Sequence, residues 1–304
     1  MAGDVAIVGA TASGKTSLAV ALARRAPSFE LASMDAFACY RRLDIGTAKP
    51  TASEREGVRW HLIDLVEPTE EYSITQFAVA ARHARAGIAA RGNSACFVGG
   101  SGLYLRAVLD ELTPPPRFPE VSAALEAEAT DSSLLAAMHR RLAEIDPLGA
   151  SRMEPTNRRR ILRALEVSIG TGRPFSSFGP GLGVYPEISC RLIGLSFERD
   201  ELDRRLAARL DDQLARGFLE ELRALLEDGT TLSRTATQAI GYRELAQVVT
   251  GQITLADASA EILGRSRQLA RRQMAWLRRD PRILWVDGSR GDLVDYLVNL
   301  LTAA

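Results

Sequence analysis

The chain has 304 residues, of which 46% are hydrophobic and 25% charged, and its formal net charge is zero. This composition is typical of a soluble globular protein, and no apolar run approaches the roughly 20 residues of a membrane helix. The N-terminus lacks the basic segment of a signal peptide, and the cysteines and histidines show no metal-site spacing. We therefore expect a cytoplasmic protein with reduced thiols and no membrane contact.

Short apolar runs alternate with helical patterns in the first third of the chain. We predict strands over residues 4–8, 29–33, 61–66 and 95–98. Helices are predicted over residues 13–26 and, from the capping box that Ser73 forms with Gln76, through residue 90. This alternation predicts an α/β fold in which helices cover both faces of a parallel sheet.

A glycine-rich turn joins the first predicted strand to the first helix. Gly9, Gly14, Lys15 and Thr16 satisfy the pattern G-x-x-x-x-G-K-[ST] in the setting that a phosphate-binding loop (P-loop) requires. The N–H groups of such a turn and the helix dipole attract anions. We assign the whole turn to phosphate binding: Gly9, Ala10, Thr11, Ala12, Ser13, Gly14, Lys15 and Thr16. The pattern specifies a polyphosphate, with ATP as the natural candidate and Mg²⁺ on the Thr16 hydroxyl, but no reaction.

Proline interrupts the alternation at residues 114–116, and a helical pattern without strand signals follows to about residue 171. A strand over residues 190–197 and a long helical stretch over residues 200–227 then resume the pattern of the core. We therefore predict a P-loop NTPase-like core of residues 1–113 and 189–304, with a helical domain inserted at residues 114–188.

Two aspartates follow predicted strands near the expected ligand site. Asp35 is a candidate general base, because ligands of open α/β sheets lie at the carboxyl ends of strands; a helix cap is the alternative. Asp64 is a weak candidate for the metal-binding carboxylate of a nucleotide hydrolase, and a capping or solvated aspartate explains it at least as well. Lys49, one of only two lysines, lies in the segment DIGTAKP and is a candidate for a tight polar site.

Five segments together resemble the tRNA dimethylallyltransferase family: GATASGKT, SMDAFACYRRLDIGTAKP, VGGSGLYLRAVL, ATQAIGYRE and SRQLARRQMAWLR. They occur in order over nearly the whole chain, and DIGTAKP and RQLARRQMAWLR are not general features of P-loop proteins. The resemblance implies transfer of a dimethylallyl group from its diphosphate to the exocyclic amine of the adenosine 3′ to the tRNA anticodon. It also implies that Mg²⁺ assists, and that ATP is only a mimic of the donor.

The resemblance implies catalytic roles for three residues. Asp35 matches the base that takes the amine proton, and Lys15 stabilises the charge of the leaving diphosphate. Ser101, where the family usually has threonine, would hold a diphosphate oxygen. Arg223 matches an arginine that reaches the diphosphate, with a solvated helix face as the alternative.

The sequence departs from the family pattern at three positions. Ala10 replaces the usual proline of the P-loop, which should matter little. Ala36 and Ala38 replace a serine and a glutamine, so individual contacts with the target base are in doubt while the reaction is not.

Two arginine clusters occur in the chain, one at residues 158–163 and one on a predicted helix over residues 262–279, the C-terminal arginine helix. Each is either a solvated helix face or an RNA contact, and the resemblance favours RNA contact. Base chemistry in a folded RNA takes the target out of its stack, and many backbone contacts are needed to offset that cost. We expect the partner to be the tRNA anticodon stem-loop, bound by the segment after Asp35, the insertion domain and the C-terminal helices. The expected contacts are Asp35, Ala36, Phe37, Ala38, Arg159, Arg160, Ile161, Leu162, Arg163, Gln238, Gly241, Tyr242, Arg243, Arg271, Arg272 and Arg279.

Three alternatives use the same P-loop. A P-loop small-molecule kinase would consume ATP but would leave the arginine clusters unexplained. An enzyme that prenylates free AMP would not need the C-terminal arginine helix, and an RNA-binding nucleotide switch would not need Asp35. The size of the chain and the lack of an obvious dimer seam favour a monomer.

Overall fold

The computed structural model describes residues 3–110, 115–179, 181 and 183–302. The chain divides into two compact units. The larger comprises Met1–Glu111 and Glu187–Ala304, and the smaller comprises Leu112–Pro186. No helix in the described ranges is long and apolar enough to cross a membrane.

The larger unit is built on a six-stranded sheet whose strands are all parallel. They are β1 (Val5–Gly9), β2 (Phe29–Ser33), β3 (Trp60–His61), β4 (Ser94–Gly99), β5 (Arg191–Ser196) and β6 (Ile283–Asp287). Their order across the sheet is β3-β2-β4-β1-β5-β6. The predicted α/β fold with a parallel sheet is confirmed.

Thirteen α-helices lie in the described parts of the chain. They are α1 (Lys15–Arg25), α2 (Ala52–Arg55), α3 (Ile74–Ala90), α4 (Gly102–Leu109), α5 (Pro119–Glu128), α6 (Ser132–Ile145), α7 (Pro147–Ser151), α8 (Arg158–Thr171), α9 (Arg199–Ala215), α10 (Phe218–Glu227), α11 (Tyr242–Val249), α12 (Leu255–Leu277) and α13 (Leu293–Thr302). Helices α5 to α8 belong to the smaller unit and the others to the larger unit.

Alternate residues of the strands face two separate apolar cores, because successive side chains of a strand point to opposite faces. Ala6 and Val8 of β1 pack in one core with Phe77 of α3. Val5 and Ile7 pack in the other with residues of α1 and α13. The central strands β1, β2 and β4 are buried at every residue, as expected for a parallel sheet covered on both faces.

Three elements differ from the sequence predictions. The strand predicted over residues 61–66 ends at His61, since Leu62 and Asp64 adopt positive φ angles of 64° and 53° that a strand does not accommodate. The helical stretch 200–227 is divided by Gly217, whose φ is 95°. Strand β6, which pairs with β5 at one edge of the sheet, was not predicted.

The smaller unit has its own apolar core, which includes Leu125, Met138, Leu142 and Leu165. Asp146 is buried there and accepts hydrogen bonds from the backbone N–H groups of Gly149 and Ser176. This carboxylate therefore fixes the start of α7 and the segment after α8.

Candidate active site

A cavity of about 150 Å³ lies in the larger unit at the carboxyl ends of β1, β2 and β4. Lys15 and Thr16 line it from the P-loop, Asp35 from the turn after β2, and Gly99 and Gly100 from the end of β4. The P-loop and Asp35, which were identified separately in the sequence, therefore face one space. This is the position at which open parallel sheets bind their ligands.

The P-loop has the backbone conformation of an anion-binding turn. Gly14 adopts a left-handed conformation with φ of 76° and caps α1, and Ala12 has φ of 62°. The first N–H groups of α1 have no acceptor within the helix and are available to an anion. Thr11 also lines the cavity, whereas Ser13 is buried beneath the loop.

The side chain of Lys15 is hydrogen-bonded to residues of the P-loop itself. Its Nζ donates to the carbonyl oxygen of Ala10 at 2.5 Å and to the Ser13 hydroxyl at 3.3 Å. Burial, reinforced by the charge of Arg209, lowers the pKa of Lys15 to about 7, and nearby Asp35 opposes this shift. Burial thus disfavours the charged form of Lys15, and a negative charge nearby favours it.

Asp35 forms the turn after β2 and also faces the cavity. Its Oδ1 accepts hydrogen bonds from the backbone N–H groups of Phe37 (2.8 Å) and Ala38 (3.2 Å). In the part of the chain that the structure describes, its Oδ2 makes no hydrogen bond. One oxygen thus fixes the carboxylate and the other is available to a ligand. Phe37 and Ala38 line the cavity as well, whereas Ala36 does not.

The arginine at the P-loop is Arg209 and not Arg223. Arg209 lines the cavity from α9 and donates to the Thr11 hydroxyl at 3.0 Å. Burial lowers its pKa, and Asp35 opposes this effect. Arg223 lies on α10, is half exposed, pairs with Glu220 at 3.6 Å and does not line the cavity. The prediction of Arg223 as a diphosphate ligand is therefore corrected, because the division of α9 from α10 directs it elsewhere.

Helix α12 packs directly against the loops of the site. Gln273 accepts a hydrogen bond from the N–H of Thr11 at 2.8 Å and lines the cavity. A Cβ atom at Gly102 would lie 1.8 Å from the Trp276 ring, so glycine is required for this contact. Ser101, the N-cap of α4, follows the cavity-lining Gly100 but does not itself line the cavity, and its hydroxyl does not cap the helix.

Residues 46–50 line one side of the cavity, and we call residues 44–50, which include them, the wall segment. The carboxylate of Glu221 accepts hydrogen bonds from the N–H groups of Asp44, Ile45 and Gly46 at 2.9, 2.7 and 3.3 Å. It also accepts from the Tyr242 hydroxyl at 2.7 Å. The wall segment is thus tied to α10 and α11 through one side chain.

Lys49 fixes the other end of the wall segment. Its Nζ is buried and forms ion pairs with Asp44 at 2.7 Å and Asp64 at 2.6 Å, and it also donates to the carbonyl of Tyr40. The tight polar site expected for Lys49 is therefore present. Asp64 is bound to this lysine and does not line the cavity.

The residues predicted to bind RNA in the smaller unit divide into two groups. Arg159 and Arg160 are exposed and, among the residues that the structure describes, have no ion-pair partner. Ile161 and Leu162 are buried in the core of the unit, so their side chains do not reach a surface ligand. Arg163 is held by Glu166 at 2.6 Å and by backbone carbonyls at Pro115 and Pro116.

The residues predicted to bind RNA in the larger unit also divide into buried and exposed ones. Tyr242 is buried with its hydroxyl on Glu221, so its side chain does not face a surface ligand. Gly241 is also buried, against the ring of Phe218. Arg243 is exposed but is paired with Glu261 at 2.9 Å. The exposed candidates without an ion pair in the described ranges are Gln238, Arg271, Arg272 and Arg279.

Arg209, Gln213 and Gln273 are among the polar residues of the site that were not predicted from the sequence. A signal for the first two was present, since Arg209 and Gln213 are four residues apart beside the buried Leu206 and Leu210. Polar side chains on the apolar face of a helix indicate a function or a buried partner.

Known proteins resemble this chain over most of its length. A family model described as IPP transferase matches residues 38–280. A tRNA dimethylallyltransferase of Nocardioides sp. is 42% identical over 299 residues, which cover 98% of this chain and 96% of that protein.

Two solved structures are also similar to this chain over its whole length. The full-length tRNA isopentenylpyrophosphate transferase of Bacillus halodurans superposes with a TM-score of 0.71 at 35% identity, covering 100% of this chain and 96% of that one. A eukaryotic dimethylallyltransferase acting on tRNA gives a TM-score of 0.77 at 25% identity, covering 100% of this chain and 77% of that one.

Proposed function

The chain belongs to the IPP transferase family, and we propose that it transfers a dimethylallyl group from dimethylallyl diphosphate to the exocyclic amine of the adenosine 3′ to the anticodon in tRNA. The observation that carries the proposal is that Asp35 and the P-loop line one cavity. The comparisons support prenyl transfer over the P-loop kinase.

Asp35 is proposed as the general base. The lone pair of an aromatic exocyclic amine is delocalised, so removal of a proton as the new bond forms assists the attack. The N–C bond forms at the allylic carbon, the C–O bond to the diphosphate breaks, and the amine proton passes to the Oδ2 of Asp35. The backbone N–H groups on Oδ1 hold the carboxylate in place.

Lys15, Arg209 and the P-loop N–H groups are proposed to bind the diphosphate. Negative charge develops on this group as the C–O bond breaks, and fixed positive groups stabilise the charge without reorganising. Lys15 and Arg209 both line the cavity, and both contact the P-loop, Lys15 through the Ala10 carbonyl and Arg209 through the Thr11 hydroxyl. Ser101 is proposed to contact a diphosphate oxygen from the start of α4.

The residues of the site fit Mg²⁺ bound through the diphosphate. The described residues contain no group of three or more His, Cys, Asp or Glu able to hold a metal. Mg²⁺ often binds through substrate phosphates, water and one or two protein oxygens, and the hydroxyl of Thr16 at the cavity supplies one. When bound, the ion would neutralise charge on the leaving group.

Two separate groups of arginines are proposed to contact RNA phosphates: Arg159 and Arg160 in the smaller unit, and Arg271, Arg272 and Arg279 in the larger unit. Their exposure and their lack of ion pairs in the described ranges leave the guanidinium groups available to phosphates. We further propose that the protein acts in the cytoplasm as a monomer and binds no membrane.

Incubation of the protein with dimethylallyl diphosphate, Mg²⁺ and an anticodon stem-loop tests the proposal, with the RNA mass as the measurement. We expect the mass to increase by one dimethylallyl group. A parallel reaction with ATP in place of the prenyl donor should leave the RNA unchanged. ATP turnover without a change in RNA mass would support the kinase instead.

A further inference from the structure

Gln273 of α12 lies between the two loops that form the phosphate end of the cavity. Its Oε1 accepts the N–H of Thr11 in the P-loop at 2.8 Å. Its Nε2 lies beside Gly100 at the end of β4, where an added Cβ would be 2.5 Å from this nitrogen. The amide therefore fits between the loops only because residue 100 is glycine.

The hydrogen bond to Thr11 fixes which way the amide faces. A backbone N–H only donates, so the oxygen of Gln273 must face Thr11 and the NH₂ group must face away. Within the part of the chain that the structure describes, Nε2 makes no hydrogen bond, although the side chain lines the cavity with Lys15, Thr16 and Arg209. The hydrogen bond that Oε1 accepts from Thr11 thus holds the Nε2 donor of Gln273 at the proposed diphosphate site.

We propose that Gln273 binds the diphosphate of the prenyl donor through Nε2 while its Oε1 positions the P-loop. The inference rests on the proposed function, since it assumes that the P-loop holds a diphosphate. Gln273 supplies a neutral donor beside the cations Lys15 and Arg209, and it links the P-loop to α12.

Replacement of the amide by a carboxylate separates the two roles of Gln273. In Gln273→Glu, one oxygen still accepts the N–H of Thr11, and the anchor becomes a charge-assisted hydrogen bond. The donor is lost, and a negative charge faces the diphosphate. Gln268→Glu makes the same charge change at an exposed position of α12, one that does not line the cavity.

Inorganic diphosphate binding with Mg²⁺, measured by titration calorimetry without RNA, is the test. We expect the Kd of Gln273→Glu to rise on the order of tenfold to a hundredfold, as for a lost hydrogen bond to a charged group. Gln268→Glu should bind like the wild type, and thermal unfolding should show that both variants are folded.

Wild-type affinity in a folded Gln273→Glu variant would overturn the inference, because an anchoring role alone predicts that result. A Gln268→Glu variant that weakens as much as Gln273→Glu would overturn it too, since the effect would then be one of overall charge. Failure of the wild type to bind diphosphate would instead contradict the proposed function.

Discussion

Arg209 and Arg223 illustrate how residues of one type on neighbouring helices differ in role. Arg209 contacts the P-loop through the Thr11 hydroxyl, whereas Arg223 pairs with Glu220 on an exposed surface. We predict that Arg209→Ala weakens diphosphate binding on the order of tenfold to a hundredfold, because a charged donor is lost. Arg223→Ala is the matched control and should leave the Kd unchanged. Equal losses in the two variants would show that Arg223 also reaches the ligand.

The phosphate loop and Asp35 were predictable from the sequence because their geometry is local. The spacing of Gly9, Gly14 and Lys15 directly determines a turn into a helix, and Asp35 follows a strand. Arg209 and Gln273 were not predictable in this way. Their contacts with Thr11 span 198 and 262 residues of chain and depend on how α9 and α12 pack on the sheet.

At the scale of elements, the wall segment depends on Glu221 of α10. Removal of this carboxylate in Glu221→Ala leaves three wall N–H groups and the Tyr242 hydroxyl without their acceptor. Because unsatisfied polar groups cost free energy, we predict a loss of unfolding free energy of about 1–3 kcal/mol. Urea unfolding measures it.

Glu220→Ala is the matched control for the wall segment. Glu220 is exposed and, among the residues that the structure describes, forms an ion pair only with Arg223, so its loss should cost about 0–1 kcal/mol. Similar costs for the two variants would contradict the anchoring role of Glu221.

The packing of α12 on α4 gives a second prediction at this scale. Gly102→Ala would place a methyl group 1.8 Å from the Trp276 ring, so we expect lower thermal stability and displacement of α12. Gly264→Ala, on α12 itself, meets no atom within 4 Å and should stabilise by about 0.4–1 kcal/mol. A Gly102→Ala variant as stable as the wild type would contradict the close contact.

Two features of the larger unit were missed in the sequence for different reasons. β6, one of the two edge strands, has four consecutive apolar residues over 283–286, a strand signal that the prediction did not use. The resemblance implied that Tyr242 contacts RNA, yet its side chain is buried and its hydroxyl donates to Glu221. A buried tyrosine with a satisfied hydroxyl has the same sequence signature as an exposed one.

At the scale of the whole molecule, binding of the stem-loop should depend steeply on salt. Each arginine that neutralises a phosphate contributes roughly 0.7–0.9 to the slope of log K against log salt concentration. We predict that Arg271→Ala, Arg272→Ala and Arg279→Ala each reduce the slope by about that amount, measured by fluorescence anisotropy. Arg290→Ala, which removes an arginine paired with Asp292, is the control and should not change it. A salt-independent affinity would exclude this surface.

The central claim is that Asp35 takes the proton of the amine in a prenyl transfer at the P-loop. The most direct test is the single-turnover rate of RNA prenylation by Asp35→Asn, at saturating stem-loop and donor. We predict a fall of roughly a hundredfold to ten-thousandfold, with the Kd for diphosphate changed by less than about a factor of three. A rate within a factor of about two of the wild type, in a variant that binds both substrates, would contradict the account.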